Sequence, residues 1–119
     1  MPDQSKMARG RWGEERARHH LQGLGFTIVD RNWRSPERHV FGELDIVAAD
    51  GDLVVFCEVK ARRRTGFGGA AAAVDERKQQ QIRGLAESWM RLRGNGFERV
   101  RFDVIAIDGV RLTHLDDAF

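Results

Sequence analysis

The sequence predicts a three-layer α/β/α sandwich around a central mixed sheet of about five strands. The local patterns alternate in the order helix, three strands, helix, two strands. Two of the predicted strands, 43–49 and 53–61, are apolar at both odd and even positions, which indicates a sheet covered on both faces. The two long helices supply those covers. The 119 residues suffice for one domain, so we expect a single unit over 1–119 with a flexible tail at 1–7.

Each predicted element is bounded by glycines, an aspartate or a turn-rich stretch. In order, the elements are a helix at 8–24, strands at 26–30, 43–49 and 53–61, a helix at 75–93, and strands at 100–107 and 110–115. Asp50-Gly51 is typical of a tight turn and makes the strands on its two sides antiparallel partners. Asp108-Gly109 predicts a second tight turn, and Asp75 is the predicted N-cap of the second helix. Residues 32–42 are polar and turn-rich, which predicts a loop.

The composition excludes several classes of protein. No apolar stretch approaches the roughly 20 residues that a membrane helix requires, and residues 1–12 lack the apolar segment of a secretory signal. Cys57 is the one cysteine, which excludes an internal disulfide and a multi-cysteine zinc site. We therefore expect a cytoplasmic protein without a membrane partner.

The small net charge of +2 conceals a segregation of charge along the chain. Residues 41–59 carry five acidic side chains and no basic one, whereas residues 60–101 carry eleven basic and four acidic side chains. An acidic block followed directly by a basic block suits a metal site beside a track for a polyanion. A solvated surface laced with ion pairs fits the same pattern.

Three charged residues interrupt the apolar strands, namely Asp45, Glu58 and Lys60. Charges inside a sheet are costly unless they are paired or bind an ion. Residues 58 and 60 share one strand face because they are two apart, and the tight turn brings residue 45 beside them. This geometry fits a salt-bridge cluster at the end of a sheet as well as it fits a metal site.

A glutamate on the first helix favours the metal site. At 100° per residue, Glu14 points within a quarter turn of the apolar stripe formed by Ala17, Leu21 and Leu24, and so toward the sheet. Two or three carboxylates with a lysine are typical of a site for a hard cation, Mg²⁺ or Mn²⁺. The alternative is that Glu14 only extends to solvent at the helix end.

The motifs of the chain resemble those of the bacterial YraN family of predicted endonuclease-like proteins. They occur in the same order and at compatible spacing: Gly10, Glu14, Ala17 and Leu21, then Asn32-Trp33-Arg34, Gly42-Glu43-Leu44-Asp45-Ile46, Phe56 to Arg62, Phe67-Gly68 and Arg101 to Val104. The family is placed in the PD-(D/E)xK restriction-endonuclease-like superfamily, similar to archaeal Holliday junction resolvases. This chain departs from the pattern in a longer segment at 35–40 and in Leu44, where isoleucine is usual.

The resemblance implies hydrolysis of phosphodiester bonds in DNA. Asp45 matches the motif aspartate, Glu58-Val59-Lys60 matches the (D/E)xK tripeptide, and Glu14 matches the glutamate of the first helix. Asp45, Glu58 and the Val59 carbonyl would then hold Mg²⁺, for which Mn²⁺ could substitute, while Lys60 acts on the attacking water or the transition state. Glu14 would serve a second metal or its water. Glu43 shares strand parity with residue 45 and is a further candidate ligand.

Candidate contacts to nucleic acid lie beyond the tripeptide. Arg62, Arg63 and Arg64 could clamp a phosphate backbone, although a flexible charged loop is a comparable reading. Lys78, at the start of the second helix, is a further candidate. Of Trp12, Trp33 and Trp89, we expect two or more to pack in the core rather than to stack on bases.

Three functions remain open on the sequence alone. The first is a metal-dependent endonuclease acting on DNA, with branched and single-stranded substrates both open and a homodimer as one possible assembly. The second is a non-catalytic nucleic-acid-binding module on the same fold. The third is an interaction protein whose carboxylate cluster is only a network of ion pairs.

Overall fold

The computed structural model describes the backbone of residues 4–62 and 74–119 and the side chains of residues 10–61 and 74–119. The elements are α1 (Gln4–Gly23), β1 (Thr27–Trp33), β2 (Leu44–Asp50), β3 (Leu53–Arg62), α2 (Glu76–Arg93), β4 (Arg99–Asp108) and β5 (Arg111–Leu115). Their order is the predicted one. Among the described residues, no helix is both long enough and apolar enough to cross a lipid bilayer.

The five strands form one mixed sheet in the order β1-β2-β3-β4-β5. The β3–β4 pair is parallel and the other three pairs are antiparallel. The predicted turn between β2 and β3 is confirmed, because Asp50 pairs with Leu53 and Gly51 takes a φ of 61°. Gly109 has a φ of 59° at the equivalent turn between β4 and β5. Glycine suits both positions because side chains disfavour positive φ.

The two helices cover opposite faces of the sheet, as the two-sided apolar pattern predicts. The α1 face has a core built from helix and strand residues: Ala17, Leu21, Ile46, Ala48, Val55, Cys57, Ile105 and Ile107. The α2 face has a second core: Leu44, Val47, Val54, Phe56, Val74, Ile82, Leu85, Ala86, Trp89 and Val104. The architecture is thus a three-layer α/β/α sandwich, compatible with a restriction-endonuclease-like fold.

The first helix starts earlier than predicted. It begins at Gln4 instead of near Ala8. It ends at Gly23, which leaves Leu24 outside the helix and 56% exposed. The expected apolar stripe is therefore shorter than predicted and consists of Ala17 and Leu21.

The first strand is longer than predicted. Residues 32 and 33, expected in a loop, belong to β1, because Arg31 pairs with Ile46 and Trp33 with Leu44. A local register shift between residues 28 and 30 lets the strand continue past its polar positions. Pairing with the buried strand β2 thus overrides the turn-like composition of the segment.

The connection from β1 to β2, with its long 35–40 segment, is anchored to α2. The Ser35 and Ser88 hydroxyls lie 2.6 Å apart, and Arg91 donates to the Glu37 carboxylate at 2.8 Å. Ser88 also donates to Glu37. The longer segment is therefore held against the helix that starts beside the predicted site.

Candidate active site

The candidate site lies where β2 and β3 separate. Their last paired residues are Ile46 and Cys57. One position further along β3, the chain no longer has a backbone partner from β2. Instead, the Asp45 carboxylate accepts a hydrogen bond from the Val59 amide at 2.9 Å. Asp45 thus replaces a strand acceptor, which fixes one of its oxygens and leaves the other available.

Helix α1 packs closely against β3, and this contact places Glu14 beside Asp45. A Cβ atom placed on Gly13 would lie 2.7 Å from the Cβ of Ala61, so only glycine permits the observed distance. Carboxylate oxygens of Glu14, Glu43 and Asp45 all lie within 4.8 Å of one another. The expectation that Glu14 faces the sheet is confirmed, as is the expectation that Glu43 points the same way as Asp45.

Asn32 links two of these carboxylates. With its amide nitrogen turned toward them, the orientation that satisfies both ends of the amide, it donates to Glu43 at 2.9 Å and to Glu14 at 3.1 Å. The backbone of Asn32 has a φ of 50°, a conformation that asparagine tolerates better than most residues. Arg34 adds an ion pair to Glu43 at 3.2 Å. Asn32 stands in a motif but has no predicted site role, because its segment is predicted to be a loop.

Glu58 lies beside this group and is only 6% exposed. Its Oε1 atom is 3.7 Å from Nζ of Lys60 and 3.6 Å from Nζ of Lys78. Lys78 stands in the first turn of α2, where its amide donates to the predicted N-cap Asp75 at 2.8 Å. Lys78, for which a contact to nucleic acid stays a prediction, thus lies beside the (D/E)xK tripeptide.

The pKa values of Glu58, Asp45 and Glu14 are all raised above their usual values. Burial and, after it, the negative charge of Asp45 raise the pKa of Glu58 to about 7, against the opposing effect of the two lysines. Burial also raises the pKa of Asp45, although the Val59 amide opposes this. Burial followed by the charge of Asp45 raises the pKa of Glu14. Burial therefore favours the protonated forms of these carboxylates, and the charge of Asp45 adds to this effect at Glu58 and Glu14.

An open cavity of about 340 Å³ gives access to the cluster. Its walls come from α1, β2 and β3: Gly10, Glu14, Asp45, Glu58, Val59, Lys60 and Ala61. The set supplies several carboxylate oxygens, the ligands preferred by Mg²⁺ and Mn²⁺, so the chemistry of the donors fits a hard divalent cation. The Val59 residue lines the cavity, while the role of its carbonyl as a ligand stays a prediction.

The hypothesis of a network of salt bridges explains only part of this arrangement. Glu58 does pair with lysines, but Asp45 makes no ion pair within 4.0 Å among the described side chains. Arg63 and Arg64 lie outside the described residues, as does the side chain of Arg62, so their predicted contacts to nucleic acid stay predictions.

The tryptophans and the cysteine pack largely as expected. Trp89 is fully buried and donates to Asp30 at 2.8 Å, and Trp33 packs against the α2 core. Trp12 is 48% exposed. Cys57 is buried, and burial raises the pKa of its thiol well above the usual value, so the structure gives no reason to assign it chemistry.

The chain is similar to proteins of one family along nearly its whole length. The model of "Uncharacterised protein family UPF0102" matches residues 13–107. The UPF0102 protein of Rhodococcus jostii is 47% identical over 118 residues, which cover 95% of this chain and 97% of the relative. The protein of Frankia alni is 47% identical over 124 residues that span both chains completely. That of Halorhodospira halophila is 43% identical over 111 residues, or 93% of this chain and 86% of the relative.

Proposed function

This chain belongs to the UPF0102 (YraN) family, the predicted endonuclease-like PD-(D/E)xK group, and we propose that it is a metal-dependent endonuclease that hydrolyses phosphodiester bonds in DNA. The proposal rests on one observation above the others. Three carboxylates, one from α1, one from the residue before β2 and one from β2, converge within 4.8 Å of one another, next to a buried glutamate flanked by two lysines.

Such a cluster is unfavourable without a cation. Like charges at this distance repel, and burial strengthens the repulsion. A bound Mg²⁺ or Mn²⁺ would remove it by coordinating Glu14, Glu43 and Asp45, with Glu58 and the Val59 carbonyl as neighbouring ligands. When bound, the cation supplies Lewis acidity to the scissile phosphate and to a water molecule.

The other residues of the site position the carboxylates and supply positive charge. The Val59 amide fixes Asp45, and Asn32 holds Glu14 and Glu43 in register. Lys60 is kept beside the cavity by its ion pair with Glu58, from where its ammonium group can orient water or balance the charge that develops on the phosphate.

Lys78 places a second positive charge at the same carboxylate, so both lysines are positioned before a substrate arrives. We extend the nucleic-acid surface from Lys78 to Arg62, Arg63 and Arg64, which follow the tripeptide in the sequence. The proposal places the enzyme in the cytoplasm with its DNA substrate. A homodimer would be required for symmetric cleavage of a branched junction.

The test is cleavage of a labelled panel of single-stranded, duplex, flap and four-way DNA, with RNA alongside, in Mg²⁺ or Mn²⁺. We expect Asp45→Asn and Glu58→Gln each to lower cleavage by about a hundredfold or more, because each removes a carboxylate proposed to hold the metal ion. Glu87→Gln is the matched control, since Glu87 is exposed on α2. Equal cleavage by all four proteins would contradict the site assignment.

Metal binding gives a second readout that does not depend on activity. Titration calorimetry with Mn²⁺ should show binding to the unmodified protein and to Glu87→Gln, and much weaker binding to Asp45→Asn. Metal binding without cleavage of any substrate would contradict the endonuclease and favour a nucleic-acid-binding module. Absence of metal binding would instead favour a network of ion pairs.

A further inference from the structure

A groove runs between α2 and the end of the β1–β2 connection, directly beside the carboxylate cluster. It encloses about 510 Å³, within the range of sites that take small ligands. One wall carries His39 and Phe41 from the connection, and the other carries Arg77, Lys78, Gln81 and Leu85 from α2. None of these residues except Lys78 has a part in the candidate active site.

The ring of Phe41 is the unusual feature of the groove. It is 75% exposed, although large aromatic side chains are normally buried. The backbone beneath it is fixed, because Gln81 donates to the Phe41 carbonyl at 3.3 Å. Gly42 follows with a φ of 103°, and a Cβ there would lie 2.5 Å from the Gln81 amide nitrogen. The connection therefore presents an aromatic face at a defined place.

The opposite wall supplies complementary chemistry. Leu85 lies at the bottom of the groove, where it is 1% exposed, while the amide oxygen of Gln81 can accept a hydrogen bond from a polar edge. Arg77 and Lys78 add positive charge, and the nearby Asp75 carboxylate is already engaged by the Lys78 amide. An aromatic face, an apolar floor, an amide and two cations together match a nucleobase attached to a phosphate.

Lys78 joins the groove to the catalytic cluster, since its ammonium group is 3.6 Å from Glu58 and its side chain also lines the groove. We propose that the groove binds one unstacked base of a single-stranded DNA segment, with Phe41 as the stacking platform, while an adjacent phosphate lies at the carboxylate cluster. The inference rests on the proposed endonuclease function and names its substrate class. Bases of an intact duplex are already stacked and cannot enter.

The test measures binding without cleavage, in an Asp45→Asn background and in EDTA. Fluorescence anisotropy compares a dye-labelled oligothymidylate with a blunt duplex of equal length. We expect tighter binding of the single strand, and we expect Phe41→Ala to weaken it about tenfold because a stacked base is lost. Duplex affinity should not change, and Phe41→Trp should keep the single-strand affinity.

Val110→Ala is the matched control, because Val110 is 87% exposed at the turn between β4 and β5 and lies outside the groove. Single-strand affinity that is the same in Phe41→Ala and Val110→Ala would overturn the inference. So would a duplex that binds as tightly as the single strand. The exposure of Phe41 makes a folding defect of the alanine variant unexpected, and circular dichroism checks this.

The proposal that the groove binds a base and the proposal of endonuclease activity can be contradicted independently of each other. Loss of single-strand binding in Phe41→Ala, with no cleavage of any DNA by the unmodified protein, would support the groove and contradict the hydrolysis. Cleavage that depends on Glu58 but has an unchanged KM for single-stranded DNA in Phe41→Ala would support the hydrolysis and overturn the groove.

Discussion

Asp103 and Glu58 are buried carboxylates on the neighbouring strands β4 and β3, one register position apart. They differ in how fully their oxygens are hydrogen-bonded. Asp103 on β4 pairs with Cys57, the residue before Glu58 on β3. Asp103 is fully buried, and both of its oxygens accept from the Arg101 guanidinium at 2.8 Å. His114 lies 2.7 Å from it, and the Asp117 amide donates at 3.1 Å.

Glu58 has no comparable set of donors among the described side chains. Its two lysines stay at 3.6 and 3.7 Å, and Asp45 adds a negative charge that raises its pKa. Buried polar groups in folded proteins are normally hydrogen-bonded, so Asp103 follows the rule and Glu58 departs from it. This contrast supports the proposal that the Glu58 cluster binds a ligand, whereas the bonds around Asp103 stabilise the fold.

The largest expected effect is the loss of stability in Asp103→Ala. Removing this carboxylate leaves the buried ends of Arg101 and His114 without their partner, which should lower the free energy of unfolding by about 3 to 5 kcal/mol. Asp45→Ala should change it by about 1 kcal/mol or less, because relief of repulsion from Glu58 offsets the lost bond to Val59. Urea unfolding of both variants measures the difference, and equal losses would remove the distinction between the clusters.

The second effect is the dependence of stability on pH that Glu58 contributes. Its folded pKa of about 7 lies above the ordinary 4.5, so its contribution to stability is complete below pH 4.5 and is lost as the pH rises through 7. In metal-free buffer, Glu58→Gln should match the unmodified protein at pH 4.5. At pH 8 the Glu58→Gln variant should be more stable than the unmodified protein by up to about 3 kcal/mol, because it no longer buries the charged form of Glu58. A variant that becomes relatively less stable at pH 8 would contradict the raised pKa.

A smaller effect concerns helix α1, which places Glu14 beside Asp45 and Glu43. Gly13→Ala forces α1 away from Ala61 and should lower the free energy of unfolding by about 1 to 3 kcal/mol, as overpacking does. It should also reduce cleavage, since Glu14 moves with the helix. Gly10→Ala is the matched control because nothing lies within 4 Å of a Cβ there, and helix propensity should make it neutral or slightly stabilising. Equal stability of the two variants would argue against the close approach.

The smallest effect tests how well the Asp103 cluster tolerates loss of an outer member. His20 contacts His114 at 3.0 Å but does not contact Asp103 itself. We therefore expect His20→Ala to lower the free energy of unfolding by about 1 kcal/mol, the value of a single hydrogen bond. Urea unfolding measures it, and a loss as large as that of Asp103→Ala would show that His20 is essential to the cluster.

Local patterns predicted the order of elements, the two tight turns and the two-sided sheet, because each depends on residues near one another in the sequence. The same holds for the inward direction of Glu14 and for the shared face of Glu43 and Asp45. The start of α1 and the length of β1 were predicted wrongly. Pairing of Trp33 with Leu44 depends on a distant strand, which no local pattern reports.

The sequence by itself determined which charged residues interrupt the apolar strands, and so which carboxylates we propose as ligands of a cation. Only the tertiary structure decided their partners. Lys78 reaches Glu58 because α2 begins over the end of β3, and Asn32 reaches Glu14 and Glu43 because β1 continues past its bulge. These contacts join residues that packing alone brings together, so their geometry depends on the positions of whole elements.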